Sequence, residues 1–386
     1  MKRNLFVLST FLCMAFGMHL PSHAAPTYTL TVVGEANSAA YDVNALGQVV
    51  GALAVGPGQH AFFYDGVAFN DIGTLGGANS VAWRINDSGT IVGTSDTGGS
   101  NQGFSYTGGV MTGLAGTSTA QDISNTGLIT GTAYLLNGMG EQVGRAYSWN
   151  DGVLTNLGTL AGADAWSSNG NGINSAGQVA GTAEVEGLPG SPTQPFLYSS
   201  GVMQDLGNLG GIYSNAWAIN EAGDVVGSVG LPANDGIPYI WHAFVYSGGV
   251  LQDLGSLTEN GVSSAYDINN KGQAVGRADT DAGARGVLYA NGSITLLESL
   301  IDPVDGWTIE NANGINDLHQ IAATACKLGV CYAVRLDLAP IPEPGQLAML
   351  GAGLLILLGV RARRHLARRK ENAHGCTGLA PAFAFA

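Results

Sequence analysis

Residues 85–93 read Ile-Asn-Asp-Ser-Gly-Thr-Ile-Val-Gly, and the frame Ile-Asn-x-x-Gly-x-x-x-Gly returns throughout the chain. It stands at Val43-Asn44…Gly47…Gly51, Ile123-Ser124…Gly127…Gly131, Ile173-Asn174…Gly177…Gly181, Ile219-Asn220…Gly223…Gly227 and Ile268-Asn269…Gly272…Gly276. A worn copy, Ile315-Asn316-Asp317-Leu318-His319-Gln320, completes the series. Successive Asn or Ser positions lie 42, 38, 50, 46, 49 and 47 residues apart, so seven units fill the chain from about residue 28 to 337. Self-similarity at this period is the mark of a repeat architecture.

Two further strings keep the same beat. His60-Ala-Phe62-Phe-Tyr64 is echoed by Gly103-Phe104-Ser-Tyr106, Ala146-Tyr147-Ser-Trp149, Pro195-Phe196-Leu-Tyr198, His242-Ala-Phe244-Val-Tyr246, Gly286-Val287-Leu-Tyr289 and Ala333-Val334-Arg-Leu336. Asp71-Ile-Gly-Thr-Leu-Gly-Gly77 is echoed at Asn156, Asp205 and Asp253. Each unit therefore holds four short stretches of strand character: Leu-Gly-x-Leu, Ala-x-x-Ile, Val-Val-Gly, and the aromatic stretch. Phe62 and Tyr64 are two apart and share one face. Asn-x-x-Gly supplies a side-chain acceptor and a residue able to take positive φ, as a tight hairpin needs. Asp65-Gly66, Gly108-Gly109, Asp151-Gly152 and Asn291-Gly292 turn the chain again. Four strands in about 40–45 residues is the spacing of a propeller blade. The fold class expected is all-β, seven four-stranded repeats in a seven-bladed β-propeller, with an open β-solenoid or irregular array as the alternative, and a hydrophobic helix near the C-terminus. Counted this way, the chain enters on a first-type strand (Tyr28 to Val33) and leaves on a fourth (Tyr332 to Leu336), so closure would lack an exchanged strand.

These strings resemble the HAF repeats of bacterial extracellular proteins, whose His-Ala-Phe triplet is intact at residues 60–62 and 242–244. The family carries no established activity to transfer to particular residues.

The ends read differently. Lys2 and Arg3 precede an apolar run, Leu5 to Phe16, then Ser22-His23-Ala24 before Ala25-Pro26. This is the layout of a secretory signal peptide, residues 1–24, cleaved after Ala24; the alternative is an uncleaved anchor or a buried helix. Near the other end, Pro342-Glu343-Pro344 is followed by the apolar residues 347–360 and a basic cluster of Arg361, Arg363, Arg364, Arg368, Arg369 and Lys370. Arginines on that side predict that this end stays cytoplasmic while the body is exported. Triplet, single hydrophobic helix and arginine-rich end resemble the PEP-CTERM sorting signal of Gram-negative bacteria. The resemblance implies an exosortase-type processing enzyme as partner, transient anchoring in the inner membrane, and release of the body to the cell surface or extracellular matrix. The chain departs from that family in running on through an unstructured tail, residues 371–386, and a plain membrane anchor is the other reading. The domain division expected is 1–24, 25–340, 341–370 and 371–386.

Composition bounds the partners. The chain has 386 residues and 59 glycines without a Gly-X-Y period, which excludes collagen, and its 45% apolar content argues against disorder. Outside the two sorting ends stand only seven basic residues against 27 acidic ones, so a nucleic-acid partner is not expected. With both ends removed, the remaining cysteines are Cys326 and Cys331. In an exported protein such neighbours are expected to pair as a disulfide sealing the last blade; the other reading leaves two free buried thiols.

In a meandering blade, alternate loops share a face. One face here is built of uniform turns. The other carries the insertions Tyr134 to Glu141, Glu184 to Thr193, and Leu231 to Trp241, with the connections Gly162 to Gly170, Leu257 to Ser263, and Ile301 to Asn313. Variable loops on a rigid scaffold are where binding tends to live. The candidate ligand face comprises Trp166, Tyr213, Tyr239, Trp241 and Trp307, with Asp164, Glu184, Glu186, Asp235, Asp302 and Asp305 nearby. Aromatic faces beside polar acceptors suit sugar rings, and the carboxylates could hold Ca2+; the bland reading is loop packing. Asp279-Thr-Asp281 lacks the glycine and glutamate of a full calcium loop. His60 and His242 occupy equivalent repeat positions and read as structural, His319 stands alone, and no Gly-x-Ser-x-Gly, His-Glu-x-x-His or phosphate-binding glycine loop is present. The function expected is a non-catalytic binding or structural module of the cell surface or matrix, associated with exopolysaccharide. The alternative is a propeller hydrolase or lyase acting on polysaccharide through a pair of acids.

Overall fold

The computed structural model describes residues 28–160, 167–185, 192–232 and 239–339, together with Leu357, Leu358 and Arg361. The chain divides into two compact units, residues 1–338 and 339–386. In the second, Leu357, Leu358 and Arg361 have helical backbone; the rest of the expected hydrophobic helix, Pro342, Glu343, Pro344, Arg363, Arg364, Arg368, Arg369, Lys370 and the tail 371–386 lie outside the described residues, as does the signal peptide 1–24. Among the described residues no helix is long and apolar enough to cross a membrane.

The first unit is a seven-bladed β-propeller of seven four-stranded antiparallel sheets. Blade 1 runs Ser38–Val43, Val49–Val55, Gly58–Tyr64 and Phe69–Gly73 from the axis outward. Blades 2 to 6 repeat this order, with inner strands Ser80–Ile85, Asp122–Ile123, Ser168–Ile173, Ser214–Ile219 and Ser263–Ile268. The inner strand of each blade touches that of the next, and the inner strand of blade 7, Thr308–Ile315, touches that of blade 1, so the ring is closed.

The strand count per repeat is as expected, but the frame is displaced by one. The inner strand is Ala-x-x-Ile, the second is Val-Val-Gly, the third is the aromatic stretch, and the outer strand follows the Asp-Gly turn. The Leu-Gly-x-Leu string is not the first strand: in blade 1 it is the end of the outer strand, which stops at Gly73 (φ +74°), plus the link to blade 2. This corrects the expectation for closure. Tyr28–Ala36 lies antiparallel to Val330–Leu338 as the outer strand of blade 7, pairing Tyr28 with Leu338 and Leu30 with Leu336. The first strand of the chain completes the last blade, and backbone pairing supplies the seal. Cys326 and Cys331 are bonded across the second and third strands of that blade, with Cα atoms 3.9 Å apart.

The repeated strings follow from packing between blades. Phe62, Phe104, Tyr147, Phe196 and Phe244 are fully buried. Each lies opposite the glycine of Val-Val-Gly on the neighbouring strand: Gly51–Phe62, Gly93–Phe104, Gly131–Tyr147, Gly181–Phe196 and Gly227–Phe244. A Cβ on Gly51 would overlap the Ala39 carbonyl and come 2.7 Å from the Phe62 ring, so the neighbouring inner strand and the ring both require the bare backbone; Gly276, opposite Val287, meets the Ser264 carbonyl in the same way. In blade 7 the pair is Ala323 opposite Val334, and there the inner strand carries an additional register shift, between Ile309 and Asn311. A serine opening the inner strand stitches neighbouring blades together at several seams: Ser80 Oγ accepts from Ala61 N at 2.7 Å, Ser168 Oγ from Ala146 N at 3.0 Å, and Ser263 Oγ from Ala243 N at 2.8 Å. Ser38 Oγ accepts from Ala333 N at 2.9 Å, the same stitch across the closure. His60 Nδ1 meets Asp71 Oδ2 at 2.8 Å and His242 Nδ1 meets Asp253 at 3.0 Å, while each aspartate also caps a backbone N–H, of Gly73 and Gly255. The histidines of the triplet therefore fasten the third strand to the outer one.

Candidate functional site

Ala40 and Val43, three apart in one strand, are both buried. Strict alternation would put them on opposite faces. A β-bulge reconciles them by inserting one residue, and the register shifts accordingly between Ala40 and Asp42, Ala82 and Arg84, Gly170 and Gly172, Ala216 and Ala218, Ala265 and Asp267, and Ala312 and Gly314. The inserted residues are Tyr41, Trp83, Asn171, Trp217, Tyr266 and Asn313; blade 3 offers Gln121, just before its two-residue inner strand. These seven side chains, one per blade, line a cup of about 250 Å³ on the propeller axis. Two flanking hollows share its walls. One, about 300 Å³, shares Trp83 and Gln121; the other, about 360 Å³, shares Gln121, Asn171 and Trp217. Both reach residues of the variable face, such as Asn79 and Asn101 on one side and Asn169 and Asn215 on the other.

The cup aromatics are held in place. Trp83 Nε1 donates to Thr94 Oγ1 at 3.1 Å and Trp217 Nε1 to Ser228 Oγ at 3.2 Å, leaving the indole faces as the available surface. Tyr41 and Trp83 ring centroids lie 4.9 Å apart in a tilted pair. Burial pushes the Tyr41 and Tyr266 hydroxyls above the usual tyrosine range, so both remain neutral donors.

Below the cup, the residue after each bulge meets its counterparts on the axis. Arg84 enters from blade 2, Asp42, Asp122 and Asp267 from blades 1, 3 and 6, while Gly172, Ala218 and Gly314 leave the room. Arg84 Nε lies 3.9 Å from Asp122 Oδ1 and Nη2 3.9 Å from Asp267 Oδ1. Its Nη atoms donate to the carbonyls of Tyr41, Trp83 and Tyr266 at 3.3–3.4 Å. The carboxylates reach sideways as well: Asp42, Asp122 and Asp267 Oδ2 accept from Ile85 N, Ile173 N and Ile315 N of other blades, at 2.9, 2.7 and 2.8 Å. Burial opposes the Arg84 charge, but Asp267, Asp42 and Asp122 together outweigh it and hold its pKa above the ordinary value. Burial raises all three carboxyls against the pull of Arg84, Asp122 up to about 7.

The opposite mouth of the axis is a ring of asparagines. Asn44 Oδ1 accepts from Leu46 N and Gln48 N, closing its own turn. Its Nδ2 donates to Gln48 Oε1 at 2.7 Å and to the Asn86 carbonyl at 3.1 Å. Asn86 donates in turn to Ser124 O, Asn174 to Asn220 O, Asn220 to Asn269 O, Asn269 to Asn316 O, and Asn316 to Asn44 O. Ser124, too short to reach, leaves one seam of seven without this link. His319 takes the glycine's place in the worn turn, with φ +63°, which accounts for it structurally.

Of the aromatics expected to form the ligand face, Tyr213, Tyr239 and Trp241 belong to blade 5, where Gly230 is the strand partner of Trp241 and donates to the Tyr213 carbonyl, while Trp307 belongs to blade 7. Trp166 lies outside the described residues, as do Asp164, Glu186 and Asp235. Tyr239 opens the third strand of blade 5. Tyr213 and Trp241 are half-buried on the variable side, and neither lines the cup. Trp307 packs edge-on against Tyr332, with centroids 5.7 Å apart and Lys327 Nζ 5.3 Å from its ring, as part of blade 7's packing. The cup residues were missed because they are the two variable positions inside Ala-x-x-Ile; the signal that could have found them is the pair of buried residues three apart in a strand. Among the described residues no group of three or more His, Cys, Asp and Glu is spaced to hold a metal.

No protein-family model and no curated protein sequence matches the chain. Solved structures do. A prolyl endopeptidase structure superposes with a TM-score of 0.51 at 9% identity, over 82% of this chain and 51% of that one. TolB from Acinetobacter baumannii gives a TM-score of 0.41 at 12% identity, over 66% and 62%. Trypanosoma rangeli sialidase gives 0.37 at 11%, over 94% and 65%. The chain thus spans less than two thirds of the length of each of these. At such identities the likeness is one of fold, and the chain is a β-propeller.

Proposed function

We propose that this propeller is a non-catalytic, exported binding module of the cell surface or extracellular matrix that holds exopolysaccharide in its axial cup. The observation that carries the reading is the cup itself, two indoles, two phenols and three amides contributed one per blade. An aromatic face is electron-rich and apolar and packs against the C–H face of a sugar ring, while amides and hydroxyls bond its rim. Concave, aromatic-lined hollows with a few convergent polar groups are the usual form of a ligand site. The address is part of the same proposal: the N-terminal leader, and the Pro-Glu-Pro, apolar and basic elements resembling a PEP-CTERM signal, take the body through the inner membrane to an exosortase-type enzyme and outward. Retention of the purified protein in native gels cast with polysaccharide extracted from its host tests the binding; unretarded migration in every such gel contradicts it. Mass spectrometry of the mature protein tests the address, which requires a new N-terminus at Ala25 and loss of the chain beyond Pro344.

A second reading, a polysaccharide hydrolase or lyase, is favoured by one observation: three carboxyls converge beside Arg84, with Asp122 poised near neutrality, as acid–base work needs. Against it, each of the three accepts a backbone N–H from another blade and lies beneath the cup. Turnover of the extracted polysaccharide that Asp122→Asn abolishes would establish this reading in place of the first.

A further inference from the structure

The cup and its two flanking hollows are one continuous depression, joined at Trp83 and Gln121 on one side and at Gln121, Asn171 and Trp217 on the other. It is continuous because blade 3 lacks most of its inner strand. Where blades 1, 2, 4, 5 and 6 begin theirs at a serine, residues 118–121 run as a link, the Ser118 and Thr119 N–H groups both donating to the Thr132 carbonyl. We infer that this depression is a cleft for an internal segment of an uncharged polysaccharide chain, laid over the axis from blade 2 to blade 5. The inference rests on the glycan-binding reading above and specifies its ligand.

Three observations converge on an uncharged chain. The cleft walls are amides, hydroxyls and aromatic rings, the functional groups that exchange hydrogen bonds with sugar hydroxyls and stack on ring faces. Thr182 is 6% exposed, lines the blade 5 side, and its Oγ1 has no hydrogen-bond partner. A buried hydroxyl without a partner is costly, and a ligand hydroxyl would satisfy it. Charge excludes the anionic alternative. Among the described residues the one basic side chain lining the cleft is Arg84, whose donors are committed to three backbone carbonyls and whose charge is shared among three aspartates. Asp96 adds a carboxylate to the blade 2 side. A uronate or sulfated chain would meet like charge with no free cation to pair it, which works as discrimination against the wrong ligand. An internal segment rather than a chain end follows from the cup opening into two hollows, which also meet each other at Thr119 and Gln121 of blade 3.

Affinity electrophoresis of the full-length protein in gels containing hydroxyethyl cellulose, dextran or alginate, with cello-oligosaccharides of three and six units as soluble competitors, tests this. The expected result is retardation by at least one neutral polymer, none by alginate, and a six-unit competitor at least tenfold more effective than the three-unit one where cellulose is the retarding polymer. Trp83→Ala and Trp217→Ala each lower affinity tenfold or more, while Trp307→Ala on the same face leaves it unchanged. Thr182→Val keeps the volume and removes a hydroxyl that bonds nothing in the free protein, so its thermal midpoint is unchanged or raised while affinity falls threefold or more; this variant decides the matter if either tryptophan variant fails to fold. Retardation by a neutral polymer that survives the Thr182 and tryptophan changes overturns the cleft and leaves the glycan reading standing. Retardation by alginate alone overturns the uncharged chain. No retardation by these polymers or by the host's own polysaccharide overturns the glycan reading itself.

Discussion

The two mouths of the axis are built from the same seven repeats and differ in what those repeats hold constant. At the uniform mouth, six asparagines and one serine occupy one repeat position, and the asparagines spend their amide groups on their own turn and on the next blade. At the variable mouth the bulge position is Tyr, Trp, Gln, Asn, Trp, Tyr and Asn in turn, and two of those side chains, Trp83 and Trp217, spend only an N–H on the scaffold. The lesson is a division of labour within a single strand. Ala and Ile of Ala-x-x-Ile are buried and must stay small and branched, whereas a bulge turns the residues between them toward the axis, where they can change without disturbing the blade.

The severest way to break the comparison is to remove both mouths at once. Deleting residues 28–36 takes the outer strand from blade 7 and exposes a paired edge. Loss of cooperative unfolding by circular dichroism is the expected result, and a sharp transition near the wild-type midpoint would contradict strand exchange as the seal.

The next largest effect belongs to the charged layer between the mouths. Asp122 has a pKa of about 7 in the fold, and an unfolded aspartate titrates near 4, so the folded form holds the proton more tightly. Its contribution to stability is fully present below pH ~4 and is lost as pH rises through about 7, on the order of 2–4 kcal/mol at ~1.4 kcal/mol per unit. Chemical denaturation between pH 4 and 8 should show that decline, and Asp122→Asn should make it shallower, the remainder coming from Asp42 and Asp267, whose carboxyls burial also raises; an unchanged slope in the variant rules out Asp122 as a source.

The asparagine ring sharpens the contrast further. Asn220 accepts from Ala222 N and Asp224 N and donates to Asp224 Oδ2 and the Asn269 carbonyl, so Asn220→Ala should cost about 1–3 kcal/mol by leaving buried groups unpaired. Ser124→Ala, at the seam without the inter-blade amide link, should cost less. Equal losses in denaturant titrations would mean that the ring adds nothing beyond its turns. Smallest is His319→Gly, which relieves a side chain at φ +63° and should raise stability by up to about 1 kcal/mol.

Much of this was legible in the residues. The Asn-x-x-Gly turns, the seven-fold beat and the buried Phe faces follow from side-chain chemistry that acts locally. What was not legible is the frame of the blade, because the outer strands, such as Val202–Asp205 and Phe69–Gly73, contain no buried residue and so carry little apolar pattern. The closure was not legible for the same reason: with the outer strand uncounted, Tyr28 to Val33 reads as a first strand, whereas the strand Tyr28–Ala36 is the partner of Val330–Leu338. The cup was not legible because a bulge is read from a broken alternation, and a sequence does not tell a loop aromatic that packs within its blade, as Trp307 does against Tyr332, from one that lines a hollow.

The claim that recognition belongs to the bulge positions can be read from the indoles themselves. Tryptophan emission of the protein titrated with the retarding polysaccharide should change in wild type and in Trp307→Phe, and the change should vanish in Trp83→Phe/Trp217→Phe. An emission change that persists in the double variant, with binding intact, would place the ligand elsewhere on the propeller.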